Sequence, residues 1–213
     1  EARGYPWAQR IPAAELQQEG VGPGHVVTFL HLGDGTHPLE ERLAQRRPFE
    51  RNADVVFPAA SVIKLPIFLE LLRQAEEGTL DLSSPVPIDP AARVEGGGVL
   101  EKWSEPYPSL SAWQLAVLMM DFSDNYATNL IIDLVGLDSV SSRLGGWGIE
   151  STRLRRRMMD LAAARAGREN VATPREMVGL LERLHAGRIL DAQHTREVIG
   201  IMRRNTGTPI KRA

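Results

Sequence analysis

The sequence predicts a mixed α/β (α+β) fold in which a long helical middle follows β-like sequence near the N-terminus. Three patterns indicate this class. Residues 25–32 are rich in β-forming side chains, which predicts a strand. An apolar run with helical spacing begins at Ser61, and helical spacing then recurs from Leu110 to about Asn205. Strand-like sequence occurs only on the N-terminal side of this helical region.

Local signals place the elements in order along the chain. Residues 39–51 are ambiguous between helix and strand, and residues 150–172 have no regular period. Glycine and proline punctuate the segments 33–35, 85–90 and 96–98, which predicts turns and a crossover. Capping and stop residues predict helices over 61–77, 110–122, 126–135, 138–144, 173–186 and 191–205.

Two helix starts carry specific capping signals. Asp138 is predicted to cap the helix that ends before Gly145. Thr173-Pro174-Arg175-Glu176 has the pattern of a capping box with proline at the first helical position, which predicts reciprocal bonds between Thr173 and Glu176.

The composition is ordinary for a globular protein of one or two domains, and it excludes several function classes. The net charge of −2 gives no basic excess for nucleic-acid binding, and no run of about 18 apolar residues indicates a membrane span. The absence of cysteine excludes disulfides, thiolate metal sites and a cysteine nucleophile.

Ser61 and Lys64 stand three residues apart at the start of the apolar run. In a helix these positions share a face about one turn apart, so the hydroxyl and the amine are predicted to meet. The chain has three lysines against 22 arginines, and a buried lysine loses its proton where an arginine does not. A neutral amine beside a serine is a general base beside a nucleophile. The motif alone also suits a capping serine and a solvated lysine.

A second polar group, Ser123-Asp124-Asn125, lies between two predicted helices about sixty residues later. Serine both donates and accepts, so it is able to pass a proton, and asparagine offers an acceptor and donors to a substrate amide. Asp124 is predicted to cap the following helix. The ring of Phe122 is predicted to lie in the core.

Together these motifs resemble those of the class A β-lactamases and penicillin-binding proteins, in which S-x-x-K opens an apolar helix and S-D-N lies between helices. The likeness covers about residues 26–213. It continues in residues 121–132, in Thr152-Arg153-Leu154, which is similar to the entry of the family's omega loop, and in residues 173–177, which are similar to the helix beyond it.

The resemblance implies a role for each matching residue. Ser61 is implied as the acylated nucleophile, with its backbone N–H as half of an oxyanion hole, and Lys64 as its base. Ser123 is implied as the proton shuttle to the leaving nitrogen. Asn125 is implied as the contact to the acylamide side chain of the substrate. No cofactor and no metal are implied.

The resemblance also implies the architecture and the setting. A helical domain is expected beside an antiparallel sheet flanked by helices, with residues 1–58 and 173–213 in a sheet-plus-helix subdomain and 59–172 in a helical subdomain with an omega-like loop. The implied partner is a small-molecule β-lactam or a cell-wall peptide. Export to the periplasm or the cell exterior is implied, although the chain shows no signal peptide.

The omega-like loop departs from the family pattern. Hydrolytic class A enzymes carry a glutamate two residues after an arginine in this loop, to activate the deacylating water. Here Met158 stands at the matching position, and a thioether does not abstract a proton. Asp160 and Glu169 are the alternative candidates, and Met158 with Met159 is expected to pack under the loop. The sequence therefore predicts acylation with slow or no β-lactam turnover.

The C-terminal region departs as well. The family places K-T-G on a strand after the last helix, and Asn205-Thr206-Gly207 is a poor substitute because asparagine replaces the lysine. One or two strands do not make a stable sheet. We therefore expect a further segment carrying K-T-G in the native protein.

Three alternatives remain open at this stage. The first is a peptidoglycan D-Ala-D-Ala peptidase-type enzyme. The second is a non-catalytic member of the fold that binds a ligand or a partner. The third is a metal enzyme using His25, His31 and His37, which is disfavoured because their spacing suits isolated histidines and H-E-x-x-H is absent. The arginines at 153 and 155–157 are expected to form an ion-pair cluster with Asp160 and Glu169.

Overall fold

The computed structural model describes residues 52–103 and 109–204, apart from the side chain at position 204. The chain divides into two compact units after Val55, and every element given below lies in the second unit. The predicted strand at 25–32, the ambiguous segment 39–51 and the histidines at 25, 31 and 37 lie outside the described residues, as does the segment Asn205–Gly207. The predicted division into subdomains stays a prediction.

The described residues form helices with two short antiparallel strand pairs between them. The helices are α1 (Lys64–Glu76), α2 (Ala112–Asp121), α3 (Asn125–Val135), α4 (Leu137–Gly146), α5 (Leu161–Arg165), α6 (Pro174–His185) and α7 (Ala192–Arg204). The strands are β1 (Phe57–Pro58), β2 (Pro85–Val86), β3 (Leu110–Ser111) and β4 (Val171–Ala172), and three short 3₁₀ turns span 60–63, 90–92 and 100–102.

Helix α1 is the central helix of this unit. Its first nine residues, from Lys64 to Leu72, are all buried, as is typical of a helix surrounded by others. It packs on α2, where the rings of Phe68 and Trp113 lie 6.0 Å apart. An ion pair between the partly exposed Arg143 and the buried Glu70 connects it to α4. The helix that carries Lys64 is therefore fixed on several sides.

The strand pairs connect segments that are distant in the sequence. Strand β1 pairs with β4, with Phe57 opposite Ala172, and β2 pairs with β3, with Pro85 opposite Ser111. An isolated bridge between Arg153 and Val171 closes the neck of the loop that spans residues 154–170. We call residues 154–170 the omega-like loop.

Three predictions about local structure need correction. Ser61 precedes α1 in the 3₁₀ turn Ala60–Ile63, so the α-helix begins three residues later than predicted. Asp138 lies in the first turn of α4, whose N-cap is Gly136; an acidic side chain there still favours the helix dipole. The proline-rich crossover contains strand β2, which pairing with β3 stabilises and local sequence does not signal.

The predicted capping box at the start of α6 is half right. The Thr173 hydroxyl accepts from the Glu176 N–H, as predicted. The Glu176 carboxylate instead accepts from three successive backbone N–H groups, those of residues 150–152, and from the Thr152 hydroxyl. Four donors in a tertiary contact outcompete one local backbone donor. Glu176 thereby holds the chain at the entry to the omega-like loop.

No helix within the described ranges combines the length and the apolar character that a membrane crossing requires.

Candidate active site

The 3₁₀ turn, α1 and the α2–α3 junction bring the two predicted motifs together. Ser61 lies in the turn that leads into α1, Lys64 begins α1, and Ser123 lies between α2 and α3. Ala60 and Ser123 have positive φ angles of 45° and 54°, a conformation that L-residues other than glycine rarely adopt. Such strained residues concentrate at functional sites.

The Lys64 amine is the centre of the hydrogen-bond network. Its Nζ donates to the Ser123 carbonyl oxygen at 2.6 Å, to Ser123 Oγ at 2.8 Å and to Asn125 Oδ1 at 2.9 Å. Ser123 Oγ in turn lies 3.0 Å from Ser61 Oγ, within hydrogen-bond distance. The amine is therefore connected to Ser61 through the Ser123 hydroxyl. This corrects the direct contact between Ser61 and Lys64 that the i, i+3 spacing predicted. The Ser61 hydroxyl, the Ser123 hydroxyl and the Lys64 amine thus form one hydrogen-bonded series.

Burial alters the acidity of this amine. Lys64 is 3 % exposed. Desolvation lowers the Lys64 pKa to about 8, and the nearby carboxylate of Asp124 opposes that shift. Near neutral pH a fraction of the Lys64 side chains is therefore neutral, which is the state in which an amine is able to accept a proton. This lowering of the pKa is the direction that the sequence predicts, with burial of the amine as the cause.

Asp124 holds the junction between α2 and α3. It is fully buried, and its carboxylate caps α3 by accepting from the Ala127 N–H while also accepting from the Leu100 N–H. Gly98 presses against this carboxylate, because a Cβ at Gly98 would stand 2.4 Å from Asp124 Cγ. The predicted cap is confirmed, and the tight approach explains a glycine at this point of the 96–98 turn.

Asn125 lies at the first position of α3 and is 6 % exposed. Its Oδ1 accepts from Lys64, and its Nδ2 donates to the Gly96 carbonyl at 3.1 Å. The side chain is thus fixed between the Lys64 amine and the glycine turn. Its contact to a substrate amide stays a prediction.

Asn129 is a polar residue of this region that sequence reasoning missed. It is buried, one turn after Asn125 on α3, and its amide binds the main chain of Met158 at two points. Met158 N–H donates to Asn129 Oδ1 at 2.7 Å, and Asn129 Nδ2 donates to the Met158 carbonyl at 3.1 Å. The i, i+4 spacing of two asparagines on an apolar helix face was the available signal.

The omega-like loop contains the remaining residues that the sequence analysis singled out, namely Met158, Met159, Asp160 and Glu169. Met158 is buried, as expected, whereas Met159 is 38 % exposed and has a positive φ of 64°. Asp160 caps α5 by accepting from the Ala163 N–H. Glu169 pairs with Arg156 at 2.6 Å, so that part of the predicted ion-pair cluster is confirmed.

Phe122 contradicts the prediction of a core ring, because 57 % of its surface is exposed. It follows the last residue of α2 and immediately precedes Ser123. The turn that gives Ser123 its positive φ directs the chain out of the helix at this point, so the apolar periodicity of α2 no longer applies to position 122.

A family model described as the β-lactamase enzyme family matches residues 39–212. The chain belongs to this family. The match spans all of the described residues, and it confirms the family resemblance drawn from the two motifs.

Two curated proteins that are similar to the chain are named β-lactamases. The β-lactamase CARB-3 of Pseudomonas aeruginosa is 28 % identical over 75 % of this chain and 56 % of its own length. CARB-4 of the same organism is 30 % identical over 67 % of this chain and 49 % of its own length. The chain thus spans about half the length of these curated relatives.

Solved structures confirm the fold. PBP-A is 31 % identical, with a TM-score of 0.65 over 74 % of this chain and 57 % of that one. A β-lactamase from Sphaerobacter thermophilus is 30 % identical, with a TM-score of 0.69 over 76 % of this chain and 60 % of that one. The α+β class and the β-lactamase-like architecture follow from these two similarities.

Proposed function

We propose that the chain is a serine acyl-enzyme hydrolase in which Ser61 is acylated by a β-lactam or a related amide and deacylation is slow. The observation that carries this proposal is the hydrogen-bonded series from Ser61 through Ser123 to Lys64. The acylation half is supported by a leucine-to-glutamate variant of PBP-A solved as an acyl-enzyme complex with penicillin G, which is 30 % identical with a TM-score of 0.67 over 76 % of this chain and 59 % of that one.

Acylation follows from the order of the groups in this series. With Lys64 neutral, the Ser61 proton passes to Ser123 Oγ while the Ser123 proton passes to Lys64 Nζ. Ser61 Oγ attacks the amide carbonyl carbon, and the Ser61 backbone N–H is proposed as one donor to the resulting oxyanion. When the C–N bond breaks, the proton returns from Lys64 through Ser123 to the leaving nitrogen. Lys64 is neutral again at the end of the step.

Deacylation has no equivalent base in the loop. Met158 stands where the family resemblance places the glutamate, and its thioether takes no proton. The carboxylates of Asp160 and Glu169 are engaged in capping α5 and in pairing with Arg156. We therefore propose that both acids hold the loop and that the acyl-enzyme persists.

Intact-protein mass spectrometry after mixing with penicillin G tests both steps. We expect a covalent adduct on the wild-type chain, none on Ser61→Ala, and a lifetime much longer than the mixing time. Absence of an adduct on the wild-type chain would overturn the acylation proposal. Rapid recovery of unmodified wild-type protein with release of product would overturn slow deacylation.

Met158→Glu is the gain-of-function arm of the same experiment. It places a carboxylate on a main chain that Asn129 holds at two points. A positioned general base contributes about 10²–10⁴-fold, so we expect the adduct lifetime to shorten by at least about tenfold. The conservative partner Met158→Gln has the same length and no base, and its adduct is expected to persist.

A D-Ala-D-Ala peptidase-type activity is the second candidate, because a serine site without a deacylating glutamate also suits a penicillin-binding enzyme. Release of D-alanine from an acyl-D-Ala-D-Ala peptide would favour this candidate. A chain that neither labels with penicillin nor releases D-alanine would instead be a binding member of the fold. We further propose, from the family alone, that the protein is exported.

A further inference from the structure

Three side chains remote from Ser61 in the sequence meet where the end of α1 lies against the start of α7. They are Glu76, Asp191 and His194, and their candidate ligand atoms all lie within 4.8 Å of one another. His194 Nδ1 is 3.0 Å from Glu76 Oε1 and 3.5 Å from Asp191 Oδ2. None of these side chains takes part in the serine site, so the cluster is independent of the proposed function.

The spacing matches the geometry of a small divalent cation. Zinc binds imidazole nitrogen and carboxylate oxygen at about 2.0–2.2 Å in tetrahedral sites. Neighbouring ligand atoms around such an ion are then roughly 3.3–3.5 Å apart. The two separations from His194 Nδ1, 3.0 Å and 3.5 Å, bracket this range, and the ligand atoms of all three side chains lie within 4.8 Å of one another. A cation would therefore fit with small side-chain movements.

The ligands are also held in place by their other contacts. Arg73 Nη1 donates to Glu76 Oε2 at 2.5 Å, and the Asp191 N–H donates to Glu76 Oε1 at 2.8 Å. Asp191 Oδ1 accepts from the His194 N–H at 2.8 Å and thereby caps α7, while Oδ2 is the oxygen nearer the imidazole. Partners of this kind orient metal ligands and tune their affinity.

The cluster is accessible to solvent from one side. The side chains of Glu76 and His194 are 10 % and 16 % exposed, whereas that of Asp191 is 55 % exposed. His194 also lines an open groove with Thr79, Asp81 and other residues at the end of α1. Water is thus able to supply a fourth ligand, as in open zinc sites.

We propose that Glu76, Asp191 and His194 bind a divalent cation of the zinc type and so join the end of α1 to the start of α7. One imidazole and two carboxylates favour Zn²⁺ over Mg²⁺ and Ca²⁺, which prefer oxygen ligands throughout. The imidazole binds through Nδ1, so any proton on that nitrogen is released when the metal binds.

Calorimetric titration of the full chain with Zn²⁺ tests the site. His194→Gln removes the nitrogen ligand, and we expect it to lose at least tenfold in affinity for one Zn²⁺. His185→Gln, at the exposed end of α6, is the matched control and is expected to bind as the wild type does. The histidines at 25, 31 and 37 are present in every variant, so any binding by them is common to all.

Two further measurements separate loss of the site from loss of the fold. Asp191→Asn keeps an Oδ1 acceptor for the α7 cap but removes the anionic ligand, so weaker Zn²⁺ binding with an unchanged circular dichroism spectrum is expected. Cobalt should give visible d–d absorption typical of tetrahedral coordination with the wild type and not with His194→Gln. With free Zn²⁺ at about a hundred times Kd, the wild-type Tm should rise by roughly 5–10 °C. Equal zinc binding by the wild type and both site variants, or none by the wild type, would overturn the proposal.

Discussion

The rate of acylation is predicted to rise with pH along the titration of Lys64. Its pKa lies at about 8 because burial disfavours the charged form. The neutral fraction of such an amine is about 9 % at pH 7 and about 90 % at pH 9, a tenfold increase. With the ordinary pKa of 10.5 it would be only about 0.03 % at pH 7. Burial thus supplies a roughly 300-fold larger population of the base at neutral pH.

The assay is the second-order rate of labelling by a fluorescent penicillin, measured from pH 6 to pH 10. We expect the rate to increase about tenfold between pH 7 and pH 9 and then to level off. Lys64→Arg keeps a cation that does not deprotonate, and a positioned base contributes about 10²–10⁴-fold, so this variant should lose at least about a hundredfold at every pH. A flat wild-type profile, or an arginine variant that labels normally, would refute the role given to the amine.

Asp124→Asn provides an independent check on the same titration. The carboxylate of Asp124 raises the Lys64 pKa against the effect of burial, so its neutralisation should move the midpoint of the rate profile below 8. The variant also leaves one of two buried N–H groups, those of Leu100 and Ala127, without its acceptor. Its free energy of unfolding should fall by about 1–3 kcal/mol in denaturant titrations. A midpoint that moves upward would contradict the assignment.

Two further predictions concern the supports of the site. Gly98→Ala should lower the free energy of unfolding by at least about 1 kcal/mol more than Gly97→Ala in urea titrations. Both glycines have positive φ, but only a Cβ at Gly98 would clash with Asp124. Equal losses for the two variants would contradict an energetic role for this clash. Desolvation raises the Glu176 pKa, but the hydrogen bonds from the backbone at 150–152 and from the Thr152 hydroxyl outweigh it and lower the pKa below 4.5. The stabilisation of the folded state by the Glu176 carboxylate is therefore present above pH 4.5 and is lost as pH falls through the lowered pKa. Glu176→Gln should cost about 1–2 kcal/mol at pH 7 and show a weaker acid dependence of unfolding, and an unchanged acid limb would exclude this contribution.

Six of the seven helices named above were predictable because each has a local apolar period or capping signal, whereas the short helix α5 lies in residues 150–172, where the sequence shows no regular period. The apolar period of α3 and the cap at Asp124 act within one or two turns, so the sequence alone indicates that helix. The same holds for Thr173 and proline at the start of α6. The S-x-x-K and S-D-N motifs likewise indicated the residues of the site, but the predicted direct contact between Ser61 and Lys64 is replaced by a contact through Ser123.

Tertiary contacts decided the features that the sequence did not show. The Lys64 amine lies against Ser123 because α1 and α3 pack together, so the i, i+3 spacing to Ser61 alone was insufficient. Glu176 leaves its local capping partner for three backbone donors more than twenty positions earlier. The Glu76–Asp191–His194 cluster joins positions more than a hundred residues apart, so no short motif reveals it.

Asn129 holds the omega-like loop through the main chain of Met158 and not through its side chain. Both bonds from Asn129 go to the main chain of residue 158 and make no use of its side chain. The neck of the loop is closed independently by Asn170, which accepts from the backbone N–H groups of residues 155 and 156. These main-chain contacts therefore do not depend on whether a thioether or a carboxylate stands at position 158, although the Met158 side chain itself is buried. On the proposed function, one substitution at position 158 would then supply or remove a deacylating base without changing these main-chain contacts.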